Sequence, residues 1–272
     1  MSITAGNGTL THRSLNVYGS SITGHLPVIQ LALILAALQG ASDTLRLTLV
    51  VDDTSSRATL VHGATLGAEE AMRTGRLFGT AATLRMVSAH DSARLDLLVR
   101  GGVPRASMIL LAADSATCAK VAAAAALQQV AVFDAGCPVH SVPAAPNAYS
   151  LVSRASASAP SDSARLELWH WSLDRFGGEQ LNQRYQRRFG ERMDSRAWSG
   201  WFAAKMGLDL ALRAHSTDGA TMLRLLSSGR QQFDGQKGRP LYFAPDDHRL
   251  VQPLYRVVGR GDDERVIAEI AP

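Results

Sequence analysis

Lysine is almost absent from this chain: only Lys120, Lys205 and Lys237 stand among its 28 basic residues, so the formal charge of +4 is carried by arginine. Arginine grips carboxylate and phosphate as a planar fork, which allows an acidic ligand without proving one. Arg184, Arg187, Arg188 and Arg192 come closest to a basic row, but helical spacing spreads them over more than one face and no aromatic residues interleave for base stacking. They read as a solvated helix surface, and no nucleic-acid partner is expected.

Catalytic signatures are missing as well. The sequence has no Gly-x-Ser-x-Gly, His-Glu-x-x-His, phosphate-loop lysine or paired-cysteine zinc spacing. Gly6-Asn7-Gly8 follows no strand pattern and is not a dinucleotide fingerprint, and the eight histidines are scattered. No catalytic residue, metal or resident cofactor is expected, and the chain does not read as an enzyme. It also lacks internal repeats, heptads and any apolar run long enough to span a bilayer well, so it does not read as an integral membrane protein.

What is present is a chain of 272 residues, 46% hydrophobic and 19% charged, enough for a core of one large or two small domains. Residues 26–38 form an apolar segment followed by Gly40-Ala41-Ser42, the shape of a secretory signal peptide ending near residue 41. A buried amphipathic helix is the alternative. Export is the working expectation, and Cys118 and Cys137 fit an oxidising compartment, as a bridge or as two buried thiols.

From residue 45 the pattern changes period regularly. Strands are expected at 45–51, 83–88, 107–112 and 130–133, with helices at 63–74, 92–100 and 115–129. This alternation specifies an α/β fold with a doubly wound parallel sheet, in which ligands sit beyond the carboxyl ends of the strands. The loops there contain Asp52, Asp53, Thr54 and Ser55, then Asp114 and Ser115, then Asp134, Gly136 and Cys137. Both cysteines fall at that edge, and a bridge needs Cα atoms within about 7 Å. Asp52-Asp53 could suggest an acid/base pair, but adjacent strand residues face opposite ways, so a solvated loop start is the stronger reading.

Residues 141–163 form a Pro/Ala/Ser-rich linker or crossover with one strand candidate at 149–152. Helices are expected at 171–189, 195–215 and 220–228, and strands at 240–243, 253–258 and 265–270. The organisation is then a targeting segment at 1–41, an α/β region at 43–154, a linker at 155–168, helices at 169–230 and a strand-rich tail at 231–272. Trp169 and Trp171 would share one face if extended. They are either a ligand-stacking pair, with Arg154 or Arg175 as the charged partner, or a hydrophobic staple holding the next helix.

The stretch "LRLTLVVDDTSSRATLVHGATLGAEEAMRTGRLFG" resembles the opening of type I periplasmic solute-binding proteins of the leucine-binding class, and "RYQRRFGERMDSRAWSGWFAAKMGLDLALRA" looks like their late paired helices. "LWHWSLDRFGGEQLNQRYQRRFG" with "FDGQKGRPLYFAPDDHRLVQPLY" is similar to a branch associated with pyrroloquinoline quinone (PQQ) dependent alcohol oxidation. The resemblance covers nearly all of 45–255. It implies the substrate-binding component of an ABC transporter, binding a small acidic ligand such as PQQ at Asp53, Thr54, Ser55, Asp114, Ser115, Asp134, Gly136, Arg154, Trp169, Trp171 and Arg175. A permease or a PQQ-dependent dehydrogenase is the implied partner. In that family two α/β lobes close over the ligand. Here the short linker leaves no room for a second doubly wound sheet, so the helices after 168 are expected to complete the first lobe and the second lobe to be largely missing. The competing readings are a one-lobed interaction protein docking on a periplasmic partner and a small α/β enzyme using Asp52, Asp53, Asp114 or Asp134, for which no nucleophile and base pair is apparent.

Overall fold

A computed structural model describes residues 44–52, 57–102, 105–152 and 164–272. Its centre is a five-stranded sheet of β1 (Thr44–Val51), β2 (Ala81–Ser88), β3 (Met108–Ala112), β4 (Ala131–Asp134) and β5 (Ala148–Ser150), in the order β2-β1-β3-β4-β5. Every neighbouring pair runs parallel. The inner strands are near-continuous apolar runs because both of their faces are covered. Leu45, Leu47, Leu49 and Val51 point into one core with Met108, Leu110 and Phe133, while Val50 joins Val87, Ile109, Leu111 and Val132 in the other. Each fully buried Leu or Val contributes about 2 kcal/mol relative to exposure.

The first face is covered by α1 (Ala58–Leu77), α5 (Ser195–Ala214) and α6 (Gly219–Leu226), the second by α2 (Ser92–Val99) and α3 (Ser115–Leu127). Gly63 of α1 lies against Ala197, and Gly67 against Trp201, so the two long helices run parallel and side by side. A Cβ at Gly63 would overlap the Ala197 carbonyl, so glycine is required there for the approach. Aspartates start four helices by accepting backbone N–H groups: Asp91 from Arg94, Asp114 from Ala116 and Thr117, Asp194 from Ala197, and Asp218 from Thr221.

Several expectations need correction. The helix expected from 171 begins only at Gly178, as α4 (Gly178–Phe189). Phe176 and Gly177 take left-handed backbone angles (φ 55° and 87°), which no helix tolerates, and the chain turns instead. Asn182 holds that turn by donating to the carbonyls of Trp171 and Leu173, at 2.8 and 3.0 Å. The stretch read as linker at 155–168 contains β6 (Ala164–Glu167), and α1 begins at Ala58 rather than 63.

After α6 come β7 (Phe233–Asp234), β8 (Pro240–Phe243) and β9 (Leu250–Val251) in a small antiparallel sheet, then β10 (Leu254–Val258) and β11 (Arg265–Ile270). β10 pairs antiparallel with β11 and with β6. The five-stranded sheet is the only parallel one among the described residues. Its edge meets the tail through a Ser150–Arg249 bridge, and Tyr149 stacks on His248 with ring centroids 4.7 Å apart.

One buried lysine ties the passing segments together. Lys237 donates to the Leu168 carbonyl at 2.5 Å, to Gln252 Oε1 at 2.6 Å and to the Pro253 carbonyl at 3.2 Å. Gln252 in turn donates to the Leu151 carbonyl at 3.1 Å. The points where the chain leaves the sheet after β5, returns after β6 and departs again before β10 are thus joined.

Candidate ligand site at the carboxyl edge

Parallel strands gather the loops that follow them at one edge, and here those loops carry Asp52, Asp114 and Asp134. Asp52 Oδ1 accepts the Asp114 N–H at 3.3 Å. Asp114 spends its carboxylate on the start of α3, taking the N–H groups of Ala116 and Thr117 and, at 2.7 Å, the Thr117 hydroxyl. The Thr117 bonds hold its pKa below the ordinary carboxylate value. Asp134 folds back on its own loop, accepting from Gly136 and Cys137 N–H at 2.9 and 2.8 Å. Burial raises its pKa, against those two hydrogen bonds and the nearby charges of Arg249 and Arg57.

Arg57, at the start of α1, organises the edge. Its guanidinium is 3.9 Å from Asp52 and lies over Gly136, where an added Cβ would sit 2.5 Å from Nη1. Its Nε is buried and has no hydrogen-bond partner among the described residues. Arg57 lines an open cleft of about 420 Å³ with Asp52, His62, Met86, Ser88 and Arg94. His62 is stacked on Phe189 and lies 2.7 Å from Glu191, so α4 and its following turn form part of the surroundings. Arg94 pairs with Asp91 at 3.2 Å. The cleft combines two guanidinium groups and an imidazole with apolar surface from Val51, Val61 and Met86.

The residues singled out in the sequence fare unevenly. Asp114, Asp134 and Gly136 come together at this edge, and Ser115 is exposed at the first position of α3. Asp53, Thr54, Ser55 and Arg154, like the segment 1–41, lie outside the described residues. Cys118 and Cys137 form a disulfide with Cα atoms 6.3 Å apart, pinning α3 to the loop after β4. Trp169 is a correction: it is 1% exposed, stacks on Trp198 at 6.2 Å and donates from Nε1 to Asn182 at 2.8 Å, leaving no face for a ligand. Trp171 is half-buried with Arg192 seated 4.0 Å over its ring, and Arg175 is exposed in the turn before α4. The Trp-His-Trp segment therefore acts as the staple. His170, between the two, is buried and its pKa is pushed down by that burial.

Arg57, His62 and Arg94 were not singled out in the sequence. They arrive from helix starts, not strand ends; the available signal was an arginine six residues past the end of β1. Among the described residues no group of His, Cys, Asp and Glu could hold a metal ion, and no helix is long and apolar enough to cross a membrane.

Residues 163–263 match a family described as periplasmic binding protein. Among curated proteins, none matches the chain. Solved structures do. A periplasmic binding protein from Burkholderia mallei is 12% identical, with a TM-score of 0.66 over 84% of this chain and 95% of that one. The leucine-binding protein of Thermotoga maritima is 9% identical, with a TM-score of 0.63 over 84% and 99%. A solute-binding protein of an ABC transporter from Rhodopseudomonas palustris, in complex with benzoate, is 12% identical, with a TM-score of 0.62 over 84% and 97%. The fold is that of a type I periplasmic-binding-protein lobe built on a parallel sheet.

Proposed function

We propose that this chain is an exported periplasmic solute-binding protein, the substrate-binding component of an ABC transporter, which receives a small acidic ligand in the cleft at the carboxyl edge of its sheet. The observation that carries the reading is Arg57: its guanidinium lines a cleft that also holds Arg94 and His62, and its buried Nε has no hydrogen-bond partner among the described residues. A carboxylate in the cleft would accept charge-assisted hydrogen bonds from the Arg57 guanidinium. Support comes from the family match over 163–263 and from a structural neighbour solved with benzoate, itself a small aromatic acid.

PQQ is the particular ligand we favour, on the resemblance of residues 168–190 and 233–255 to the branch associated with PQQ-dependent alcohol oxidation, with a permease or a dehydrogenase of that system as partner. Its carboxylates suit arginine forks, and its body would rest on Met86 and Val61 rather than on Trp169. With one parallel sheet among the described residues, we take the ligand to be enclosed from one side. Micromolar affinity is the consequence, about 4 kcal/mol short of nanomolar. A thermal-shift screen of PQQ, benzoate and leucine tests the proposal: stabilisation by the acids supports it, and no shift with any of them removes it.

The single parallel sheet among the described residues favours a second reading, a lobe that docks on a periplasmic partner without capturing ligand. Co-purification of a periplasmic partner combined with a silent ligand screen would select it.

A further inference from the structure

The opposite edge of the sheet holds a second concavity, unrelated to the strand-end loops. It lies where β1, β3 and β4 begin, has a volume of about 410 Å³, and is lined by Arg46, Arg105, Ser107, Gln128, Thr217 and Asp218, among others. Its walls are fixed. The Ser107 hydroxyl donates to the Thr217 carbonyl at 2.6 Å and accepts from Arg46 N–H at 3.0 Å. Gln128 donates from Nε2 to the carbonyls of Leu98 and Val99, at 3.0 and 2.9 Å.

The charges are arranged differently from the walls. Neither Arg46 nor Arg105 forms an ion pair with a described residue. The one acid on the rim, Asp218, is engaged in starting α6: it accepts from Thr221 N–H at 2.9 Å and from the Thr221 hydroxyl at 3.0 Å. Arg105 lies near enough to favour the Asp218 charge but makes no contact pair with it. Two arginines without an ion-pair partner among the described residues therefore line one cavity. Beside them is apolar surface, from Ala106, Val130 and Ala220 and from Leu127, which is 89% exposed. A volume of this size is ordinary for a small-molecule pocket, and paired guanidinium groups match the oxygens of a carboxylate or phosphate.

We infer that this amino-edge cavity is a second binding site, for a small organic oxyanion held by Arg46 and Arg105 with its body against Leu127 and Val130. A phosphate monoester and a dicarboxylate share that chemistry. Along β1, Arg46 is six residues from Asp52, about 20 Å at strand spacing, so the two sites are separate and their ligands do not compete.

Glycerol 3-phosphate and succinate are the probes, each titrated into the full chain while backbone amide chemical shifts are followed. The expected result is saturable binding of one probe, with the largest shifts at Ser107, Thr217 and Gly219. That affinity should fall about 10-fold or more in Arg46→Gln and in Arg105→Gln, the loss expected for one charge-assisted hydrogen bond, and stay unchanged in Arg187→Gln, at an exposed position of α4. The probe that saturates decides between phosphate and carboxylate. No saturable binding of either probe, shifts centred on Asp52 and Ala58, or binding indifferent to both amino-edge substitutions would overturn the inference. Because the shift map is taken on the unaltered chain, it holds even if a variant fails to fold.

Discussion

The ammonium of Lys237 sits 3.9 Å from the centroid of the Trp198 ring, fully buried, with oxygen acceptors but no bonded carboxylate around it. This cation–π and carbonyl cage replaces the water that the charge gave up, and it fastens the segments that leave and re-enter the sheet. Lys237→Met keeps the volume and removes the charge, but strands three acceptors. It should cost about 2 to 4 kcal/mol, read from the denaturant midpoint. Burial pushes the Lys237 pKa well below the usual lysine value, so between the two values the unfolded chain binds the proton more readily. Stability of the wild type should therefore rise with pH as the ordinary lysine range is approached, and Lys237→Met should lack that rise.

The Cys118–Cys137 bridge closes a loop of sequence separation 19. Reducing it, or making Cys137→Ser, should lower stability by about 3 kcal/mol, seen as a lower urea midpoint in reductant. An unchanged midpoint would show that α3 and the loop after β4 need no tether.

Gly63 is the tightest point between α1 and α5. Gly63→Ala should destabilise by at least about 2 kcal/mol despite alanine's better helix propensity, because the added methyl overlaps backbone rather than a movable side chain. Thermal unfolding of the single variant settles it.

Asp134 offers a titration test. Its folded pKa is raised by burial, so from the ordinary carboxylate range up to that value the folded state holds more protons than the unfolded one, and stability falls as pH rises. Asp134→Asn keeps an oxygen for the Gly136 and Cys137 N–H groups and cannot ionise. The variant should gain on the wild type as pH rises through this window; a gap constant with pH would contradict the buried acid.

These residues also show how far a sequence reading reaches. β1 and β3 were legible because both faces are buried, which leaves uninterrupted apolar runs. β6 was not: its four residues are half-buried, and they are a strand only because β10, some 90 residues on, pairs with them. The cysteine bridge followed from topology, since both residues belong to carboxyl-edge loops. Trp169 and Trp171 misled because their spacing implies a shared face only in extended backbone. The chain turns there, sending one ring into the core and leaving the other under Arg192. Arg57 was hidden because its importance comes from lying over Gly136, a contact made by a different loop.

Trp169 and Trp171 can be separated directly. Trp169→Phe loses the Nε1 bond to Asn182 and core volume and should cost about 1 to 3 kcal/mol, while Trp171→Phe should be nearly neutral in chemical denaturation.

Isothermal titration of PQQ into the wild type and Arg57→Gln tests the central claim, that an acid is held by the Arg57 guanidinium at the carboxyl edge. The account predicts saturable, roughly micromolar binding that weakens about 10-fold or more in the variant, the loss expected for one charge-assisted hydrogen bond. Absence of saturable binding in the wild type, or equal affinity in Arg57→Gln, would contradict it.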